Sequence, residues 1–218
     1  MKDHLEGVRQ EVEAKGRKAL IVLGDVSSEP DVIRLVDETA EHFGRLDAMI
    51  ANAGIMFSKP LVETTVEEWH HVHKINGLGL FLCYKHAAIK MQQLGTESGR
   101  IVGASSVAGK VGEPFCATYS QTKFGVRGLT QALAGELANT GITVNCYCPG
   151  AIDTNLLREL GEGTGDKDKL YADEKNKTMV GRLGTPEDIS NVVSFLVSPK
   201  SQFITGQSIH ANGGRVME

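Results

Sequence analysis

Apolar positions along this chain follow two rhythms that take turns from one end to the other. Leu5, Val8 and Val12 recur three and four residues apart among charges, which predicts an amphipathic helix over residues 3–15, ended by Gly16. Residues 19–26 (ALIVLGDV) are apolar with no polar alternation, the pattern of a strand buried on both faces. Ser28, with Asp31 three positions on and Pro30 between them, signals a helix start. Its buried stripe is Val32, Val36, Ala40 and Phe43, and its stop is Gly44. Residues 46–51 (LDAMIA) predict the next strand. Thr65 and Glu68 form a second capping pair, opening a helical stretch to about residue 94. Further strands are expected over 100–105, 143–147 and 207–211, and further helices over 119–139 and 186–197.

Strands alternating with helices mean βαβ units. The expected fold class is therefore α/β, a doubly wound, mostly parallel sheet in one domain spanning 1–218. The compositional break is residues 160–177 (LGEGTGDKDKLYADEKNK), polar and Gly-rich. A disordered linker and a mobile lid both fit that composition. The segment lies between a strand end and a later helix of the same sheet, so a substrate lid is expected over 155–180, since ligands of open α/β sheets sit beyond the carboxyl ends of strands.

Composition then removes whole classes. At 41% hydrophobic and 23% charged residues the chain is globular, not disordered. A net charge of −4 argues against a basic face, so no nucleic-acid partner is expected. No apolar run approaches the ~18 residues of a membrane span, and the charged N-terminal stretch is unlike a signal peptide. With four cysteines and no disulfide framework, the cytoplasm is the expected location. The 25 glycines stand out, and suit tight strand–helix turns or backbone lying close to a ligand.

The sharpest chemical signal is Tyr119-x-x-x-Lys123, which puts a phenol and an ammonium on one helix face. A neighbouring cation favours phenolate, so such a tyrosine can exchange a proton near neutral pH. Taken alone, the pair fits a solvated helix face equally well. Ser106 ends a buried strand 13 residues earlier, where a hydroxyl can hold a substrate oxygen; turn chemistry also explains it. Asn52-Ala53-Gly54, Pro149-Gly150 and Asp25 close three other expected strands. His70, His71 and His73 form an H-H-x-H helix segment without a further ligand set, so a surface helix is expected there and no metal. Cys146 and Cys148 are expected to pack, and Trp69 to anchor its helix.

Asp25-Val26, Asn52-Ala53-Gly54, Asn76 in KING, Ser106, Tyr119-Ser-Gln-Thr-Lys123, Pro149-Gly150-Ala-Ile152-Asp-Thr154 and the ending GRLGTPEDI…ITGQSIHANGG occur in this order over nearly the whole chain. In this the sequence resembles the short-chain dehydrogenases/reductases. The resemblance implies a Rossmann-like sheet with NAD or NADP across the strand ends and a small ketone or secondary alcohol as substrate. It implies that Tyr119 is the acid/base and that Lys123 lowers its pKa and holds the nicotinamide ribose. Ser106 would bind the substrate carbonyl, and Asn76 would support a water relay to Lys123, although a polar kink beside Gly77 and Gly79 explains Asn76 too. Asp25 and Val26 would bracket the adenine, Asn52, Ala53 and Gly54 line the cofactor cleft, and Pro149, Gly150, Ile152 and Thr154 seat the carboxamide. A homodimer or homotetramer is implied through the helical regions 69–94 and 119–139.

The family's opening strand, its T-G-x-x-x-G-x-G phosphate loop and the following helix and strand have no counterpart here. That unit binds the pyrophosphate and distinguishes NAD from NADP. Two classes of function follow. One is a carbonyl reductase or alcohol dehydrogenase for a diketone, hydroxyketone, 3-ketoacyl or polyol substrate, closest to diacetyl/acetoin reductases. The other is a non-catalytic short form keeping the scaffold and the oligomer surface. Lacking that unit, residues 19–26 are expected to pair directly with 46–51, to leave an open edge, or to fold poorly.

Overall fold

The structure is a computed structural model that describes residues 2–217. Four strands form one sheet in the order β1 (Ala48–Ala51), β2 (Arg100–Ala104), β3 (Thr143–Pro149), β4 (Ser208–Ala211), and every neighbouring pair is parallel. Parallel neighbours need crossovers, and helices make them on both faces. Helices α4 (Leu80–Gln93) and α5 (Ala117–Glu136) cover one face and α8 (Pro186–Val197) the other, while α2 (Glu29–Phe43) stacks on α4. The predicted doubly wound α/β class is what the chain adopts.

The centre of the sheet is buried on both sides. All five residues of β2 are buried, Arg100 at its start and the apolar run 101–104 after it. On one face Ile101, Val144 and Cys146 meet Leu82, Met91 and Val126; on the other, Val102, Ala104 and Tyr147 meet Leu196. Tyr84 runs from α4 over β2, exchanging a hydrogen bond with Thr130 (3.0 Å) and donating one to the Asn145 carbonyl (3.3 Å). A Cβ on Gly103 would stand 2.2 Å from that phenol oxygen, so only glycine admits the tyrosine there.

Three expectations need correction. Residues 19–26 form no strand, and Leu23 is 47% exposed. An apolar run becomes a strand only when a neighbour takes its N–H and C=O groups, and no described strand stands beside this one. Side chains tie it down instead: Arg34 donates to the Leu23 carbonyl (2.6 Å), and Asp31 accepts from the Asp25 amide (3.0 Å). The outer edge of β1 is likewise unpaired, with Ile50 45% exposed. Second, Ser28 occupies the N-cap of α2 without a side-chain capping bond, and the Asp31 carboxylate accepts from the Asp25 amide and Arg34. Third, Phe43 is exposed and Trp69 only half-buried. The segment expected as a lid over 155–180 is built largely of α6 (Asn155–Thr164) and α7 (Lys167–Asn176), the latter capped by Asp166. Helix α1 (Lys2–Ala14) shares no extensive interface with another element.

Between α3 (Val66–Val72) and α4 the helix widens into a π turn over His73–Gly79. Thr65 and Glu68 close a full capping box at its start. A π turn inside a helix frequently marks a functional site, and this one carries Asn76.

Candidate active site

Beyond the carboxyl ends of β1, β2 and β3 lies a cleft of about 800 Å³. Parallel strands aim their last residues at one side of the sheet, which is why side chains distant in sequence converge there. Asn52, Ala53 and Gly54 follow β1, Ser106 follows β2, Pro149 ends β3, and Gly150, Ile152 and Thr154 follow it; all line the cleft with Tyr119 and Lys123 from the first turns of α5. Asp25, Val26 and Asn76 do not line it.

Tyr119 is 9% exposed and Lys123 3%. The Lys123 ammonium stands 5.4 Å from the Tyr119 ring centroid and donates to the Ala104 carbonyl (2.8 Å), the last peptide of β2. Ser106 is the N-cap of the turn Val107–Gly109, its hydroxyl accepting from the Ala108 amide (3.1 Å). Burial pushes the Tyr119 phenol up to about 12, against a hydrogen bond to Ser106 that pulls it down. Burial also takes Lys123 down to about 8. Burial outweighs any lowering by Lys123, so the Tyr119 pKa stands above its ordinary value. Both groups are desolvated, and the ammonium is directed at a backbone carbonyl, not the phenol oxygen. Tyr119 is accordingly a protonated donor at neutral pH.

Asn76 is buried behind the cleft. Its amide accepts from the Ile55 N–H (2.8 Å) and donates to the Ile55 carbonyl (2.8 Å) and the Thr122 hydroxyl (3.3 Å). The kink and the polar contact are therefore one feature, since the π turn aims Asn76 at the chain leaving β1. Gly54 lies between: a Cβ there would be 3.3 Å from Lys123 Nζ and 3.4 Å from Asn76 Oδ1. Val26 packs onto the same turn, 2.8 Å from where a Gly79 side chain would begin. Asp25 is exposed and held low by hydrogen bonds from the Ser27 hydroxyl and amide (2.6 and 2.8 Å), with Lys74 at 3.8 Å.

Other cleft residues were not singled out one by one in the sequence, although those of α6 and α7 fall within the lid expected over 155–180. Tyr147 donates to Asn52 Oδ1 (2.5 Å) and so fixes that side chain across β1 and β3; a lone phenol in a buried strand was its only cue. Leu156, Leu157, Leu160 and Leu170 turn the apolar faces of α6 and α7 into the cleft. Glu113, Glu174 and Arg215 meet at its far side, from three distant segments. Cys146 and Cys148 are buried and do not line it. His70 and His73 pack against the Trp69 ring, and the indole N–H donates to Gln121 (3.0 Å).

The residues of the cleft fit a dinucleotide: Gly54 leaves open the space beside Lys123 that a side chain would fill, and Asn52 and Tyr147 line the same cleft.

A strand-end cleft in a parallel sheet, holding a serine, a tyrosine and a lysine at these spacings, defines an oxidoreductase of the short-chain type, and comparison with known proteins agrees. Residues 1–215 match the family described as enoyl-(acyl carrier protein) reductase. The chain is 42% identical to a short-chain dehydrogenase/reductase of Hericium erinaceus over 213 residues, covering 97% of this chain and 82% of that protein. It is 38% identical to an L-2,3-butanediol dehydrogenase of Corynebacterium glutamicum (93% and 80% covered). It is also 38% identical to a 3-oxoacyl-[acyl-carrier-protein] reductase of Staphylococcus aureus (99% and 85% covered). A crystal structure of a short-chain dehydrogenase/reductase from Mycobacterium marinum superimposes with a TM-score of 0.92 at 30% identity, covering the whole of this chain and 84% of that one. The chain belongs to the short-chain dehydrogenase/reductase family, whose cofactor is NAD(P). No helix among the described residues is long and apolar enough to cross a membrane.

Proposed function

We propose that this protein interconverts a small ketone and its secondary alcohol, with Tyr119 as the acid/base, and that its substrate is a diketone or hydroxyketone. The carrying observation is the shared burial of Tyr119, Ser106 and Lys123 at one strand-end cleft. The dinucleotide, when bound, supplies or accepts the hydride. Asn52, Gly54, Lys123, Pro149, Gly150, Ile152 and Thr154 are the residues that would hold it.

In the reductive direction the Ser106 hydroxyl donates a hydrogen bond to the substrate carbonyl oxygen and Tyr119 donates its phenolic proton to the same oxygen. A phenol pushed up to about 12 enters that step fully protonated. The Lys123 charge, 5.4 Å from the ring, stabilises the tyrosinate left behind. Asn76 serves by position: it clamps the Ile55 peptide and so keeps Gly54 against Lys123. The substrate class draws on the butanediol dehydrogenase relative; the 3-oxoacyl reductase relative supports a 3-ketoacyl substrate as the second choice.

Tyr119→Phe keeps the ring and removes the proton. Its kcat for diacetyl or acetoin should fall by ~10²–10⁴-fold, measured by the change in nicotinamide absorbance. Turnover like that of the parent protein would remove Tyr119 from the chemistry, and activity on 3-oxoacyl thioesters alone would move the substrate to the second choice.

A further inference from the structure

Apart from Lys123, three charged side chains line the cleft, and they form one cluster on the side formed by the segment after β2 and by α7. Arg215, near the C-terminus, donates through Nη2 to Glu113 Oε1 (2.6 Å) and through Nη1 to Glu174 Oε2 of α7. The cluster is sheltered, with side-chain exposures of 12% for Arg215, 9% for Glu174 and 26% for Glu113. Glu113 is fastened beside the acid/base, because its amide donates to the hydroxyl of Ser120, the residue after Tyr119 (3.1 Å). The outer oxygen of Glu174 takes a bond from Lys177 (2.7 Å), which does not line the cleft.

We infer that Glu113, Arg215 and Glu174 are specificity-determining residues that make the cleft select uncharged ketones over ketones bearing a carboxylate. This rests on the proposed carbonyl chemistry of the same cleft. An arginine at a substrate site ordinarily invites an anion, since its planar fork matches a carboxylate. Here two protein carboxylates already occupy both arms. An anionic substrate would arrive as a third carboxylate on one guanidinium, facing two fixed negative charges in a sheltered site where screening is weak. A neutral diketone, hydroxyketone or ester meets no such opposition. Discrimination therefore comes from a repulsive element built into the site, not from a better attractive contact.

The test uses a matched pair, methyl acetoacetate and acetoacetate, which differ at the carboxyl end in ester against anion. Two readouts are taken with NADH and with NADPH present: kcat/KM, and ligand binding by saturation-transfer NMR. In the parent protein the ester should be preferred by at least tenfold. Glu113→Gln and Glu174→Gln each remove one of the two negative charges held against Arg215, and should raise the acid-to-ester ratio by at least tenfold. Arg215→Gln leaves Glu113 without its cation and Glu174 with Lys177 alone, and should lower that ratio. A cluster that merely props the fold would move all three variants in the same direction, and that result overturns the inference. So does an unchanged ratio, or failure of both ligands to bind any variant. Binding ratios that shift as described in a protein that reduces neither ketone would uphold the charge filter while refuting the proposed reaction.

Discussion

Lys123 shows how much of this site depends on what surrounds a residue. Its position four after Tyr119 is plain in the sequence, but the direction in which it and the tyrosine shift each other is not. Spacing predicts an ammonium beside a phenol and a lowered tyrosine pKa; burial raises the phenol and lowers the amine. The amine falls from 10.5 to about 8 on folding. Between those values the unfolded chain holds the proton more than the folded one does, so stability rises with pH across that window. Below about pH 8 both states are charged and the desolvation penalty is constant. Chemical denaturation of the parent protein and Lys123→Met should show it. Relative to the variant, the parent should gain about 1.4 kcal/mol for each pH unit between roughly 8 and 10. A flat difference would mean that Lys123 keeps a solvated pKa in the folded state. Ser106 was legible by its place at a strand end, whereas Arg215 was not. Nothing near it in the chain marks it, and its role exists only because Glu113 and Glu174 are brought to it from 102 and 41 positions away.

Helices with strong end signals came out close to expectation. Thr65 with Glu68 and Thr185 with Asp188 close capping boxes, and α8 begins and ends at the predicted residues. Local hydrogen bonds decide such boundaries, so local sequence carries them. Residues 19–26 went the other way, because a strand is a property of a pair. The run has strand composition, yet it is unladdered, and the edge of β1 is unpaired. Direct pairing of the two, one of the outcomes expected, does not occur. An edge with Ile50 facing solvent is a template for association between copies. Ile50→Lys should therefore slow aggregation, followed as turbidity at 37 °C, with the circular dichroism spectrum retained. Aggregation at the parent rate would place the sticky surface elsewhere. The π turn had no local cue beyond Gly77 and Gly79, since it arises where Asn76 must reach the Ile55 peptide.

For the molecule entire, two consequences follow. The helical surfaces expected to join subunits are mostly core: Leu80, Leu82, Val126 and Leu137 are buried within the chain. What stays exposed is Leu78, Phe81, Ile89 and Phe124, each at 40–43%. Light scattering should report a dimer or tetramer, and Phe81→Glu with Phe124→Glu should shift it toward monomer; a monomeric parent protein would refute association through this face. The second consequence concerns the dinucleotide. The residues of the cleft fit the nicotinamide half of a dinucleotide, while these 218 residues contain no Gly-rich loop for a pyrophosphate. Calorimetry with NADH and NADPH should give dissociation constants well above micromolar for the 218-residue chain and tighter ones for a chain bearing such a βαβ unit at its N-terminus. Micromolar binding by the 218 residues would show that the loop is dispensable.

The order of the motifs, the alternation of strands with helices and the end signals of the helices were sufficient to place the chain in its fold class and to pick out Ser106, Tyr119 and Lys123. These rest on short-range chemistry: periodicity, caps, and the rule that parallel strands point their ends one way. The rest required distant segments to be brought together. Pairing decided which apolar run is a strand, burial decided the sign of two pKa shifts, and the meeting of residues 113, 174 and 215 decided the charge of the substrate wall. Each of these energies depends on neighbours that the chain supplies only when folded.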